Sequence, residues 1–305
     1  MEHTTKFSKN IICAYLYVIS RYGYPPPAEH TLAYLDEMAD MGFQSVELEG
    51  IRETHIREMY DLRFDIKAKL QERDLYIPYF CVVLPGLGAD NAEIRKENLR
   101  RFAIGCETAH HIGASGVLDN APLPPYHFPA DIPVVRHYDR EVIMAARLGP
   151  GLNWKTYWKD LIDTFREACD IAAAFGLSYH LHPCLGVLAA TPDAFLYFAD
   201  AVNRDNLRYN LDTANLFALQ ENPALALLRL AERIDYIHLS DCREGKMEHL
   251  PPGEGNISWD RFFDMIKSTG FNGHFGIDVG GAETAIDDIR NAYITSATWL
   301  KDRLI

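Results

Sequence analysis

Short apolar runs rich in Val, Ile, Tyr, Phe and Leu alternate along this chain with longer stretches whose apolar positions recur at helical spacing. The short runs predict strands at 10–19, 44–48, 75–84, 115–118, 177–182, 207–212, 236–241 and 274–278. The longer stretches predict helices at 27–41, 53–73, 92–112 and 153–175, one opening at Thr191, one over 214–233 broken at Pro223, one opening at Ser258, and a last one over 282–303. Punctuation agrees with this pattern. Gly42, Gly113 and Gly176 stand where helices should stop, and Asn153, Thr191 and Ser258 where they should start. Strand followed by helix, repeated eight times, predicts a parallel sheet. A closed (β/α)8 barrel needs ~250 residues. The 305 residues therefore read as one α/β domain, 1–305, with no linker and no low-complexity tract.

The rhythm breaks once. Residues 119–152 follow the fourth strand and hold six prolines. A connection of this length is uncommon in a compact domain and is usually functional. Because it leaves a strand end, it is expected to lie over the face where the strands terminate, as a lid or substrate wall. The rival expectation is an oligomer contact, in a homo-oligomer or a hetero-oligomer.

Composition narrows the partners. Formal net charge is −13 and there is no basic run, which argues against nucleic acid or an anionic membrane. Six cysteines are scattered without a CxxC pair, and Cys13, Cys81 and Cys169 read as reduced core residues. No apolar run reaches the ~18 residues of a membrane span, and the first ten residues lack an apolar signal core. The expected setting is soluble and cytoplasmic.

The chemistry is concentrated at four strand ends. His180, Asp212, His238 and Asp278 close the last four strands, at intervals of 32, 26 and 40 residues. In a parallel barrel these ends converge on one face, where catalysis is found. Any one of them alone reads as a satisfied strand-end residue. Four in succession, two imidazoles and two carboxylates, suit a divalent ion: manganese first, with magnesium, cobalt, iron or zinc as alternatives. His182 shares the inward side with His180 and reads as a further ligand, a base or a substrate donor. Glu254, between two glycines of the loop 242–256, is another candidate base, beside Asp278. Glu47, Asp241 and Arg243 are candidate substrate-binding residues, with Asp241 also placed to orient His238.

Several segments resemble the xylose isomerase-like TIM barrels, the superfamily of sugar isomerases and epimerases that includes the AP endonucleases. Gly42-Phe43-Gln44-Ser45-Val46-Glu47-Leu48 is similar to its second-strand signature. Leu211-Asp212-Thr213-Ala214-Asn215 resembles its Asp-Thr-Gly-His segment, with Asn215 in place of the His. Ile237-His238-Leu239-Ser240-Asp241 resembles its His-x-Lys-Asp, and Pro251-Pro252-Gly253-Glu254-Gly255 through Trp259 its Pro-x-Gly-x-Gly-x-x-x-Trp. The resemblance implies a TIM barrel with one divalent ion. It carries the epimerase ligands Glu, Asp, His and Glu onto His180, Asp212, His238 and Asp278, and it makes Asn215 a substrate-binding position.

The implied reaction is abstraction of a proton beside a metal-bound carbonyl of a sugar or inositol derivative, ending in isomerisation or epimerisation. The family's two glutamates double as its proton-transfer pair, and here they become His180 and Asp278. That departure opens a lyase alternative, a dehydratase or a deglycosidase acting on a 3-keto sugar by β-elimination. A phosphodiester hydrolase of the endonuclease branch would need more ligands and a basic surface. A non-catalytic sugar-binding barrel is the remaining alternative.

Overall fold

The computed structural model describes residues 6–128 and 138–304. Eight parallel strands form the barrel: β1 (Ile11–Cys13), β2 (Ser45–Val46 and Leu48–Ile51), β3 (Tyr79–Val83), β4 (Gly116–Asn120), β5 (Ser178–His182), β6 (Leu207–Asp212), β7 (Tyr236–Leu239) and β8 (His274–Ile277). The two halves of β2 sit at opposite ends of the sheet order. Ser45–Val46 pairs with β1, and Leu48–Ile51 pairs with β3. One strand interrupted at Glu47 therefore closes the ring. At the interruption the Glu47 N–H donates to Cys13 O at 2.9 Å, so its backbone stays in the ladder while its side chain turns inward.

Strand alternation sorts the residues. Tyr179 and Leu181 of β5 point out to the helices, where Tyr179 packs on Phe102 and Phe165 with ring centroids 4.8 and 6.1 Å apart. His180 and His182 point in. The lower interior is filled by Ile12, Tyr79, Cys81, Leu118 and Tyr236, with Tyr79 stacked on Tyr236 at 4.3 Å. Above this plug the inward positions become polar. Gly276 leaves the space that Tyr236 and His238 occupy; a Cβ there would press on Tyr236 Oη and come within 3.1 Å of His238 Cδ2.

Several boundaries differ from those the pattern predicts. Residues 16–19 belong to a helix, Leu16–Tyr22, rather than to the first strand. All four are buried, and a short apolar run has no periodicity to separate a buried helix from a buried strand. The helix expected over 53–73 is two, Arg52–Asp61 and Arg63–Arg73, whereas the break expected at Pro223 is found, between Thr213–Ala218 and Pro223–Leu230. Within 119–152, Tyr126–His127 pairs antiparallel with Arg147–Leu148, and Arg140–Ala145 is helical. The centre of that stretch, 129–137, lies outside the described residues. No described helix is long and apolar enough to cross a membrane.

Candidate metal centre

Asp212 ends β6 and caps the helix Thr213–Ala218. Its Oδ1 accepts the Asn215 N–H at 2.7 Å, while Oδ2 is buried with no hydrogen-bond partner. Around that oxygen stand three imidazoles and a second carboxylate. His182 Nε2 from β5 lies 3.7 Å away, and His249 Nε2 lies 3.8 Å away. His249 Nε2 is 3.9 Å from Asp278 Oδ2, which is 3.7 Å from His238 Nδ1. Potential ligand atoms of His182, Asp212 and His238 fall within 4.8 Å of one another, as do those of Asp212, His249 and Asp278.

Each imidazole is held through its other nitrogen. His182 Nδ1 is 2.7 Å from Asn210 Oδ1. His238 Nε2 is 3.1 Å from Glu47 Oε2, and His249 Nδ1 is 2.9 Å from Glu283 Oε1. Glu47 is itself fixed, accepting from the Tyr15 N–H at 3.1 Å and the Tyr236 hydroxyl at 2.8 Å. For His238 the acceptor keeps a proton on Nε2 and leaves the Nδ1 lone pair for a cation, the arrangement found around metal-binding histidines, whereas His182 Nε2 also meets Asn215 Nδ2 at 3.1 Å and would have to give up that contact to bind an ion.

His249 comes from the loop after β7, which Asp241 folds. The Asp241 carboxylate accepts from the N–H groups of Cys242, Gly253 and Ile257 and from the Trp259 indole, at 2.8 to 3.1 Å. Its backbone bridges Leu250 in both directions. The His249 N–H donates to Thr284 Oγ1 at 2.8 Å, and its carbonyl accepts from the Gly280 N–H at 2.9 Å. The loop is thereby pinned to the segment after β8, with the imidazole between Asp212 and Asp278.

The structure brings together Asp212, His238 and Asp278, with His182, Glu47 and Asn215 against them. His180 lies apart. It is buried one layer lower, its ring 4.9 Å from Tyr79 and its Nε2 2.8 Å from Ser178 Oγ. Register explains the separation: His180 is paired with Arg208, four residues short of Asp212 on β6. His182 shares its inward face and stands ~7 Å further toward the open end. Asp241 is committed to its loop, and Arg243 is exposed and paired with Glu248 at 2.7 Å. Glu254 is exposed in the same loop, outside the cluster. Asn215 Nδ2 is 3.1 Å from His182 Nε2.

Two residues of the centre were not singled out from sequence. His249 has no motif around it, and Glu283 follows the last strand in an irregular turn. Glu49, two residues after Glu47, is also buried. Its carboxylate lies beside Glu47 and the Cys81 thiol.

Burial raises the Asp212 carboxyl above the ordinary range; His249 and His238 oppose this and Asp278 reinforces it. Burial by itself would lower the His238 pKa, but Asp278, Glu47 and Asp212 outweigh it and carry it up to about 9. His180 is driven down to about 3 by burial, with Arg208 and His274 adding to the effect. The centre thus draws positive charge to His238, whereas His180 is a neutral packing residue. Three imidazoles, two carboxylates and an unsatisfied Asp212 oxygen fit a divalent ion of the manganese-to-zinc series.

The family described as xylose isomerase-like TIM barrel matches residues 35–303. The chain belongs to that family. Among solved structures, it is similar to the 3-keto-D-glucoside 4-epimerase YcjR from E. coli, with a TM-score of 0.71 and 18% identity over 97% of this chain and 100% of that one. It is also similar to the D-allulose 3-epimerase from Methylomonas sp. in complex with D-allulose, with a TM-score of 0.71 and 16% identity over 99% and 100%. At these identities the likeness shows the fold. Among curated proteins, the L-ribulose-5-phosphate 3-epimerase UlaE of Shigella flexneri is 27% identical over 109 residues, 36% of this chain and 38% of that protein. The uncharacterized protein MJ1311 of Methanocaldococcus jannaschii is 27% identical over 41% of this chain and 46% of its own length. The chain spans less than half the length of these curated relatives. Its xylose isomerase-like relatives thus include sugar epimerases.

Proposed function

We propose that this family member is a divalent-metal enzyme that moves a proton on the carbon beside a carbonyl of a sugar, inositol or glycoside derivative. One observation carries this reading. Three imidazoles, with Asn210, Glu47 and Glu283 against their outer nitrogens, gather their other nitrogens with the carboxylates of Asp212 and Asp278. His182, Asp212, His238, His249 and Asp278 would hold the ion, with manganese the first to test. Bound there, it would polarise the substrate carbonyl and stabilise negative charge developing on its oxygen.

The chain's own residues do the rest. Glu47, fixed by Tyr15 and Tyr236, keeps the His238 ring oriented. The nearly complete burial of His182, Asp212, His238 and Asp278 excludes water from the reacting groups. Asp278, the carboxylate that follows β8, is the proton acceptor in this reading. His182, on the opposite flank of the Asp212–His238 pair, has one nitrogen against Asn210 and the other between Asn215 and Asp212. That asymmetry favours a second reading. With a carboxylate on one flank and an imidazole on the other, a single base followed by β-elimination fits as well as a symmetrical two-base epimerisation.

The test is incubation of the metal-loaded protein with a panel of keto-sugars and 3-keto-glycosides in deuterated water. Deuterium at the carbon beside the carbonyl is expected, with loss of a substituent marking the lyase outcome. Hydrolysis of phosphodiesters with no exchange on any panel member would overturn the reading.

A further inference from the structure

Beside the centre, the segments after β2, β3 and β4 enclose a cavity of ≈280 Å³. It lies at the C-terminal ends of these strands, on the side of the barrel that carries the centre. Asn120, Ala121 and Cys184 line it, and the Ala121 N–H donates to His182 O at 2.9 Å. Tyr24 lines it as well and packs on the interior cluster that contains Tyr236.

Rings and leucines supply much of the wall, with Asp119 and Asn120 as polar lining beside Arg52. Tyr126, Phe128 and Tyr138, all from the long β4 connection, form one side. Phe128 and Tyr138 stack at 4.4 Å and 22°, and Tyr126 meets Phe128 at 66° with centroids 5.9 Å apart. Leu87, Leu123 and Leu185 supply other walls. The cation among the described lining residues is Arg52, at the end of β2. Its backbone is left-handed, φ 58°, and its Nε is buried without a hydrogen-bond partner. A non-glycine residue held in that region is strained, and such strain gathers at ligand sites. The guanidinium and the rings line one cavity. It suits a planar aromatic group that stacks on the rings and offers one oxygen to the guanidinium.

We propose that the substrate is a sugar bearing an aromatic substituent, with the ring in this cavity and the sugar carbonyl at the metal centre; this rests on the function proposed above. The reaction then changes the sugar of an aryl glycoside or similar conjugate, and the cavity selects against unsubstituted sugars.

The experiment measures binding of 4-nitrophenol, 2-naphthol and methyl β-D-glucopyranoside to the full, metal-loaded chain by saturation-transfer NMR and calorimetry. Both aromatic alcohols are expected to bind, and the ring-free glucoside to bind at least about tenfold more weakly. Leu185→Trp and Leu123→Trp fill the cavity from separate walls and should each weaken the aromatic alcohols about tenfold with metal content unchanged. Two variants are used because one may fail to fold, which circular dichroism reports. His238→Ala, which removes metal, should leave aromatic binding in place, so failure of the metal reading is separable from failure of this one. No aromatic binding at 10 mM, or binding unaltered in the folded filled variants, overturns the proposal.

Discussion

His180 and His182 differ by two positions and by their whole environment. His182 faces Asp212, whereas His180 is packed on Tyr79 with its ring nitrogen held by Ser178. Alanine at His182, Asp212, His238 or His249 should therefore lower metal affinity by tenfold or more, whereas His180→Ala should keep metal stoichiometry and cost about 2 kcal/mol of stability. Elemental analysis and thermal melts of the five variants check this, and metal loss confined to His180→Ala would reverse the assignment. A pH dependence follows from His238. Its folded pKa, raised to about 9, exceeds the unfolded value of about 6.5. In metal-free protein its stabilising contribution is complete below about pH 6.5 and lost as pH rises through about 9. A divalent ion must displace that proton, so apparent metal affinity should climb across the same window with proton release. Calorimetry in buffers of different ionisation enthalpy measures it, and a flat profile between those limits contradicts it.

At the scale of elements, the loop between β7 and the helix Trp259–Thr269 does for His249 what a strand end does for the other residues of the centre. Four donors converge on the Asp241 carboxylate, and the loop's backbone is tied to the segment after β8. Asp241→Ala leaves those donors without their acceptor in a buried setting, at a cost of at least about 3 kcal/mol. It should also weaken metal binding by releasing His249 from between Asp212 and Asp278. Asp241→Asn keeps one carbonyl oxygen and should fall between the two. Limited proteolysis within 242–256, read together with metal affinity, tests the coupling: a loop cut faster with affinity unchanged would remove His249 from the centre.

For the whole molecule, the question is what the long β4 connection contributes. Its short hairpin, Tyr126–His127 with Arg147–Leu148, pairs with itself and adds no rung to the barrel. The barrel's own ladder closes without it. Replacing 126–148 by a short flexible linker should thus leave the melting temperature within a few degrees of the parent, since loop-length changes cost little. Turnover on an aryl-substituted keto-sugar should fall at least about tenfold, because the three rings on one side of the cavity go with it. A shortened chain that stays active but changes mass in light scattering would instead assign the segment to an oligomer contact.

The (β/α)8 order was legible because burial imposes two periodicities on the chain, and strand ends carrying His and Asp were visible wherever a strand run stopped. Asp212, His238 and Asp278 could be placed this way, and the segments similar to the xylose isomerase-like barrels lie on the same strands. Sequence could not say which of two inward histidines on β5 stands at the level of Asp212, because that depends on the stagger between β5 and β6. Nor could it separate Leu16–Ile19 as helix from strand, since a fully buried run carries no polar face to mark its period. His249 and Glu283 were invisible for a further reason. They reach the centre from irregular segments, through hydrogen bonds to Thr284, Gly280 and the Asp241 knot, and such contacts leave no spacing in the chain. The sequence by itself determined the architecture and which His and Asp residues stand at its strand ends. Register and loop closure, which depend on long-range pairing, decided which atoms face one another.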